Sequence, residues 1–134
     1  MRQLLLISLL IFLCTSDFAF GQRSKQGDAL DAVNELLTEG ISLDIKGKRL
    51  VLLIKDEKGK NRKDQVFTFE LDPESISYDQ ENSMIVVNCY NGKCVQRQLF
   101  KQKVKRYYKR MSIPIVLEEE KVIQALSNLE ILIK

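Results

Sequence analysis

Met84-Ile-Val-Val-Asn-Cys89-Tyr-Asn-Gly-Lys-Cys94-Val-Gln-Arg-Gln-Leu-Phe100 reads as two strands joined by an Asn91-Gly92 turn. That dipeptide supplies the two positive-φ positions of a type I′ hairpin. With a two-residue loop, Tyr90 faces Lys93 as the first hydrogen-bonded pair. Cys89 then faces Cys94 at the following non-hydrogen-bonded position, where Cβ atoms come closest. That separation is one a disulfide can bridge. The same register puts Ile85, Val87 and Cys89 on a face with Gln98, Gln96 and Cys94, and Met84 and Val86 with Leu99 and Arg97. Neither face is uniformly apolar, which places the hairpin at a sheet rim or barrel edge.

Whether the thiols join depends on the compartment, and the N-terminus bears on that. Met1-Arg2 is a short positive region, and Leu4 to Leu13 form an apolar run broken only by Ser8. Ala19 and Gly21 are the small residues of an Ala-x-Gly cleavage site, the layout of a secretory signal peptide over residues 1–21. The apolar run is too short to span a bilayer, and no later run is long enough either. The expected mature chain starts at Gln22 and forms one α+β domain over 22–134, secreted or periplasmic. Cys14 offers an alternative, a lipid-anchored structural or accessory envelope protein, but Phe12 and Leu13 are bulky where a lipoprotein signal has small residues. Removal of the signal leaves Cys89 and Cys94 in an oxidising compartment, where a structural disulfide persists. The closed loop is small, so the bond is worth about 2 kcal/mol.

Upstream, Asp28 is placed to cap a helix carrying Leu30, Val33, Leu36 and Leu37 on one face, with Ala29 and Ala32 flanking it and Gly40 beyond its end. Its other face bears Asp28, Asp31, Glu35 and Glu39. Ile41, Leu43 and Ile45 alternate as a half-buried strand, and Leu50 to Ile54 read as a strand covered on both faces. Asp56 to Asp64 reads as a charged loop. Phe67, Phe69 and Leu71 alternate onto one strand face before the Asp72-Pro73 turn. Ser75–Tyr78 is a short strand and Asp79–Ser83 a loop. After the basic segment Lys101–Arg110, Ile113 to Leu117 is a last strand or a helix entry. From Glu118 an acidic first turn opens a helix with Val122, Ile123, Leu126, Leu129 and Ile133 at helical spacing.

The expected fold is therefore an antiparallel meander of about six strands with an N-terminal helix and a C-terminal capping helix, a partly open barrel or curled sheet. In element order, Ile41 to Lys134 resembles the pleckstrin-homology-like barrels, with Val122, Leu126 and Leu129 in the place of the capping helix's apolar stripe. The resemblance lies in topology rather than in a residue motif. It implies that loops at an open end meet anionic ligands.

The chain contains no histidine. Ser-His-Asp and Cys-His nucleophile systems are thereby excluded, with the commonest general base. No phosphate-binding glycine loop opens a helix, and Cys89 and Cys94 lack partners for a metal, so neither an enzyme nor a cofactor is expected. In a meander, the segments Lys55–Asp64, Asp79–Ser83 and Lys101–Arg110 share one end. Lys101, Lys103, Lys105, Arg106, Lys109 and Arg110, with Tyr107 and Tyr108, then form a basic rim for an anionic ligand. A solvated face neutralised by the acidic N-terminal helix is the plainer explanation of the same charges. Nucleic acid, the usual partner of interleaved cations and aromatics, is disfavoured by export. The expected activity is non-enzymatic binding of an unknown protein partner or anionic envelope component.

Overall fold

The computed structural model describes residues 25–134. The signal peptide, the start at Gln22 and Cys14 lie outside the described residues. The first helix, α1, covers residues 25–36, so Asp28 is an interior position and not its cap. Ala29 and Val33 are its buried residues, with Leu30, Leu36 and Leu37 packed beside them. Gly40 then turns the chain into a sheet. Its φ is +87°, and a Cβ there would stand 2.7 Å from the Lys55 carbonyl oxygen, so only glycine fits without a shift.

Strands β1 (Ile41–Lys46), β2 (Arg49–Asp56) and β3 (Gly59–Phe67) follow as two tight antiparallel hairpins. The charged stretch expected as a loop is mostly strand, since only Glu57 and Lys58 separate β2 from β3. Leu50 and Leu52 face the core, with Ile54 packed against it. Val51 and Leu53 point to the opposite face, outside the core cluster, where Val51 is nonetheless buried and Leu53 half-buried. After β3 come two short 3-10 turns, Thr68–Glu70 and Pro73–Ser75, where Asp72 accepts from the Glu74 N–H as the expected Asp-Pro turn. β4 is Ser77–Asp79.

The decisive stretch does not form the hairpin its Asn-Gly pair suggests. β5 (Met84–Asn88) pairs with β4 and with β8 (Arg110–Pro114), whereas β6 (Val95–Leu99) pairs with β3 and with β7 (Val104–Tyr108). The result is two sheets, β1-β2-β3-β6-β7 and β4-β5-β8, with no closed barrel. Residues 84–99 and 104–114 make one long ribbon that passes from one sheet into the other, as sandwich corners do at bends and bulges. At the corner, six residues, Cys89 to Cys94, stand opposite the single residue Lys109, because Asn88 pairs with Arg110 and Val95 with Tyr108. The excess is extruded as a loop. A disulfide, with Cα atoms 5.9 Å apart, joins Cys89 to Cys94 at its neck. The bond is therefore present as expected, but it closes a bulged loop between sheets and not a cross-strand pair. Of Asn91 and Gly92, only Gly92 takes positive φ.

Helix α2 (Glu119–Ile133) closes the core with Ala125, Leu129, Leu132 and Ile133, while Ile123, expected on its apolar stripe, is exposed. Tyr78 sets its approach: the hydroxyl donates to the Ile115 carbonyl (3.2 Å) and accepts from the Leu117 N–H (3.0 Å). The core joins α1, both sheets and α2 through residues such as Leu50, Ile85, Met111 and Leu129. The architecture is α+β, with helices at both ends of the described chain and antiparallel strands between, eight rather than six.

The two edges of the larger sheet are treated differently. Along β1, the Asn34 side chain accepts from the Leu43 N–H and donates to the Leu43 carbonyl, both at 2.8 Å, standing in for a neighbouring strand. Along β7, Lys105, Arg106 and Lys109 are exposed and, among the described residues, no strand pairs on the far side. Covering and charging are two recognised ways to blunt a sheet edge.

Candidate functional site

On β3 and β6, alternate residues serve opposite ends. Asp64 is the buried charged residue of the core side, fully out of solvent. Arg62, two residues away on the same face, gives it hydrogen bonds of 2.6 to 3.2 Å from Nε and Nη2. Arg97, its cross-strand neighbour, adds Nε and Nη2 at 3.0 and 3.2 Å. The Arg97 guanidinium also lies 4.2 Å from the centroid of the Tyr108 ring, and Arg62 reaches the Ser112 carbonyl of the other sheet at 3.4 Å. A buried carboxylate needs such partners, because desolvating it unpaired costs several kcal/mol. The network is structural: its polar atoms are spent on one another, and it ties β3 and β6 to the second sheet.

The outward residues of the same strands are not spent. Asp44, Val51, Gln65, Gln96 and Tyr107 form a row across all five strands. Gln65 donates to Gln96 at 2.7 Å. Beside this row, Phe67 stacks on Phe69 with ring centroids 5.3 Å apart, and the Arg49 guanidinium lies 4.8 Å from the Phe67 centroid. A cavity of about 300 Å³ opens here, with Arg49, Phe67, Glu70, Lys93, Gln96 and Tyr107 in its wall. A second recess, lined by Phe69, Glu70, Tyr90 and Asn91, adjoins it through Glu70. Phe69, Tyr90 and Tyr107 are each more than half exposed. The disulfide-closed loop supplies Tyr90, Asn91 and Lys93, and it is held against the Thr68–Glu70 turn by the Tyr90 N–H donating to the Glu70 carbonyl at 3.0 Å. Exposed aromatics beside planar polar side chains are the composition of recognition surfaces.

The expected basic rim is rearranged. Strand alternation places Lys105 and Tyr107 on the open face and Arg106 and Tyr108 on the core side, so the two tyrosines do not act together. Tyr108 is half-buried against Arg97. Lys101 is engaged by Asp56 at 3.0 Å, and this hydrogen bond, with the Lys58 N–H, holds the Asp56 carboxyl below the usual range. Lys103 sits in the β6–β7 turn with positive φ, while Lys109 and Arg110 lie at the corner. The Lys55–Asp64 and Lys101–Arg110 segments do meet at one end, through the Lys101–Asp56 ion pair and, just before Lys101, the Phe100 N–H donating to the Asn61 carbonyl. Asp79–Ser83 belongs to the smaller sheet, and its convergence with those segments rested on a sequential strand order the molecule does not have. There, hydrogen bonds from Asn82 hold the Asp79 carboxyl down, with Arg110 a weaker cause.

Phe67, Phe69 and Leu71, expected together on one strand face, are separated by the Thr68–Glu70 turn: Phe67 and Phe69 are exposed and Leu71 is buried. The usable signal was parity: once Val66 faces inward, Phe67 faces out. Among the described residues, no group of His, Cys, Asp and Glu is arranged to hold a metal, and no helix is long and apolar enough to cross a membrane. No family model, curated protein or solved structure matches the chain.

Proposed function

We propose that the chain is a non-enzymatic, exported binding domain, and that its docking surface for a protein partner is the open face of the five-stranded sheet. The observation that carries this reading is the exposure of Phe67, Phe69, Tyr90 and Tyr107 together around two adjoining recesses. Aromatic residues and arginine supply most of the energy at protein interfaces, and Arg49 stands among them here. The disulfide supports export, since such bonds persist in oxidising compartments. An anionic surface is the weaker target, because the basic residues divide between the two faces of β7.

The test is site-specific photocrosslinking in the producing cell, with the crosslinker at Phe69 or Tyr90 and, as the far-side control, at Glu120. A discrete adduct from the first two positions, absent from the third and lost on Tyr107→Ala, is the expected result. Identical patterns from all three positions refute the docking face. N-terminal sequencing of the recovered protein should begin at Gln22.

A further inference from the structure

The open edge of β7 has a chemistry of its own, independent of the aromatic face. β7 ends the order of the larger sheet, so alternate residues of Val104–Tyr108 turn N–H and C=O groups outward with no strand among the described residues to receive them. On the other edge, Asn34 performs that service for β1. Lys105 projects from one face of β7 and Arg106 from the other, with Lys109 just beyond. None of these three makes an ion pair among the described residues. The division that breaks up a flat basic patch has a different meaning at an edge. A strand laid beside β7 presents its own side chains alternately to both faces, and so meets a cation on each.

We infer that the β7 edge receives an acidic, extended peptide segment of a partner protein, which adds as a sixth strand to the larger sheet. Main-chain hydrogen bonds would supply affinity and the flanking cations selectivity, as in strand addition generally. Carboxylates at successive positions of the incoming strand face Lys105 on one side and Arg106 on the other, as opposite-charge cross-strand pairs. The same charges turn away the commonest wrong partner. Two copies of this chain pairing through β7 would bring their basic stretches together, and like charges placed opposite each other are destabilising. The edge is thus closed to itself and open to acid.

The test uses the full mature chain and a fluorescein-labelled extended peptide of Glu, Asp, Val and Thr, with acids at successive positions. Two N-methylated twins carry methyl groups on alternate amides in either register, and a Gln/Asn analogue removes the charge. Fluorescence anisotropy should show binding of the acidic peptide that weakens with salt. At least one N-methylated twin should lose it, and the neutral analogue should bind much more weakly. Hydrogen exchange at the β7 amides should slow in the complex. Lys105→Glu combined with Arg106→Glu should weaken binding by about tenfold or more, two attractive cross-strand pairs having become repulsive. Phe69→Ala and Tyr90→Ala should leave it unchanged, which separates this edge from the aromatic face. Absence of binding refutes the inference. So does equal binding of both N-methylated twins, which would reduce the contact to charge alone, and so does equal binding of the neutral analogue.

Discussion

Asp64 and Gln65 are neighbours on one strand, as Gln96 and Arg97 are on the next, yet they belong to different chemistries. The inward side holds a fully buried carboxylate clasped by two partly exposed guanidiniums, and the outward pair is two amides on the face away from the core. On the inner side of β3 and β6 the charged groups Arg62, Asp64 and Arg97 are consumed by the fold, so their loss should be felt as instability. On the outer side the same strands hold groups that the fold barely uses, so their loss should be felt in binding. Formal charge is a poor guide to function in this molecule, and exposure is a better one.

Asp64→Ala should be the most damaging change, because it strands two half-buried guanidiniums. Urea denaturation should show a loss of about 3 kcal/mol, at the low end for broken buried pairs since both arginines keep some water. Replacing Asp64, Arg62 and Arg97 together by Leu and Met should recover most of that loss. A triple variant as unstable as Asp64→Ala would mean that the network's net worth exceeds that of apolar packing. Next, Cys89→Ala with Cys94→Ala should cost about 2 kcal/mol, the entropy of a small closed loop, and free Tyr90 from its place beside Phe69. Asn34→Ala, which exposes the β1 edge, should cost about 1 to 2 kcal/mol through two unsatisfied backbone groups. Gln96→Ala should change stability by less than about 0.5 kcal/mol while weakening partner crosslinking at Tyr90. A larger stability loss would place Gln96 with the fold and erase the contrast.

The smallest effect is electrostatic. The Asp56 carboxyl titrates below its unfolded value because of Lys101 and the Lys58 N–H. Its stabilising contribution is present above the unfolded pKa and disappears as pH falls through the folded one. Lys101→Ala should therefore narrow its stability difference from the parent protein on acidification and in high salt. A difference that is constant with pH would show the pair to be idle.

Much of the fold was legible from periodicity: β1, the β2 core positions, and α2 from Glu119 onward all follow apolar spacing. What was not legible is instructive. Residues 59–64 look like a charged loop because the inward positions of β3 are Arg62 and Asp64, a pair whose satisfaction depends on Arg97, distant in sequence. No local pattern announces such a partner. The Asn91-Gly92 signal marked a bend and a bridgeable cysteine pair, but the strands on either side run on without reversing, because local turn chemistry says nothing about which strands pair. Phe67, Phe69 and Leu71 looked like one strand face because their alternation continues past the point where β3 ends in a 3-10 turn, and Tyr107 and Tyr108 looked like a unit because adjacency in sequence hides the strand's alternation.

The knot of covalent structure at the sheet corner has an evolutionary implication. Because Cys89 and Cys94 pinch off Tyr90, Asn91, Gly92 and Lys93 from the ladder on either side, those four positions can be exchanged or extended without re-registering any strand. The molecule thus carries an interchangeable tip on a fixed stem, and specificity can drift there while the architecture stays put.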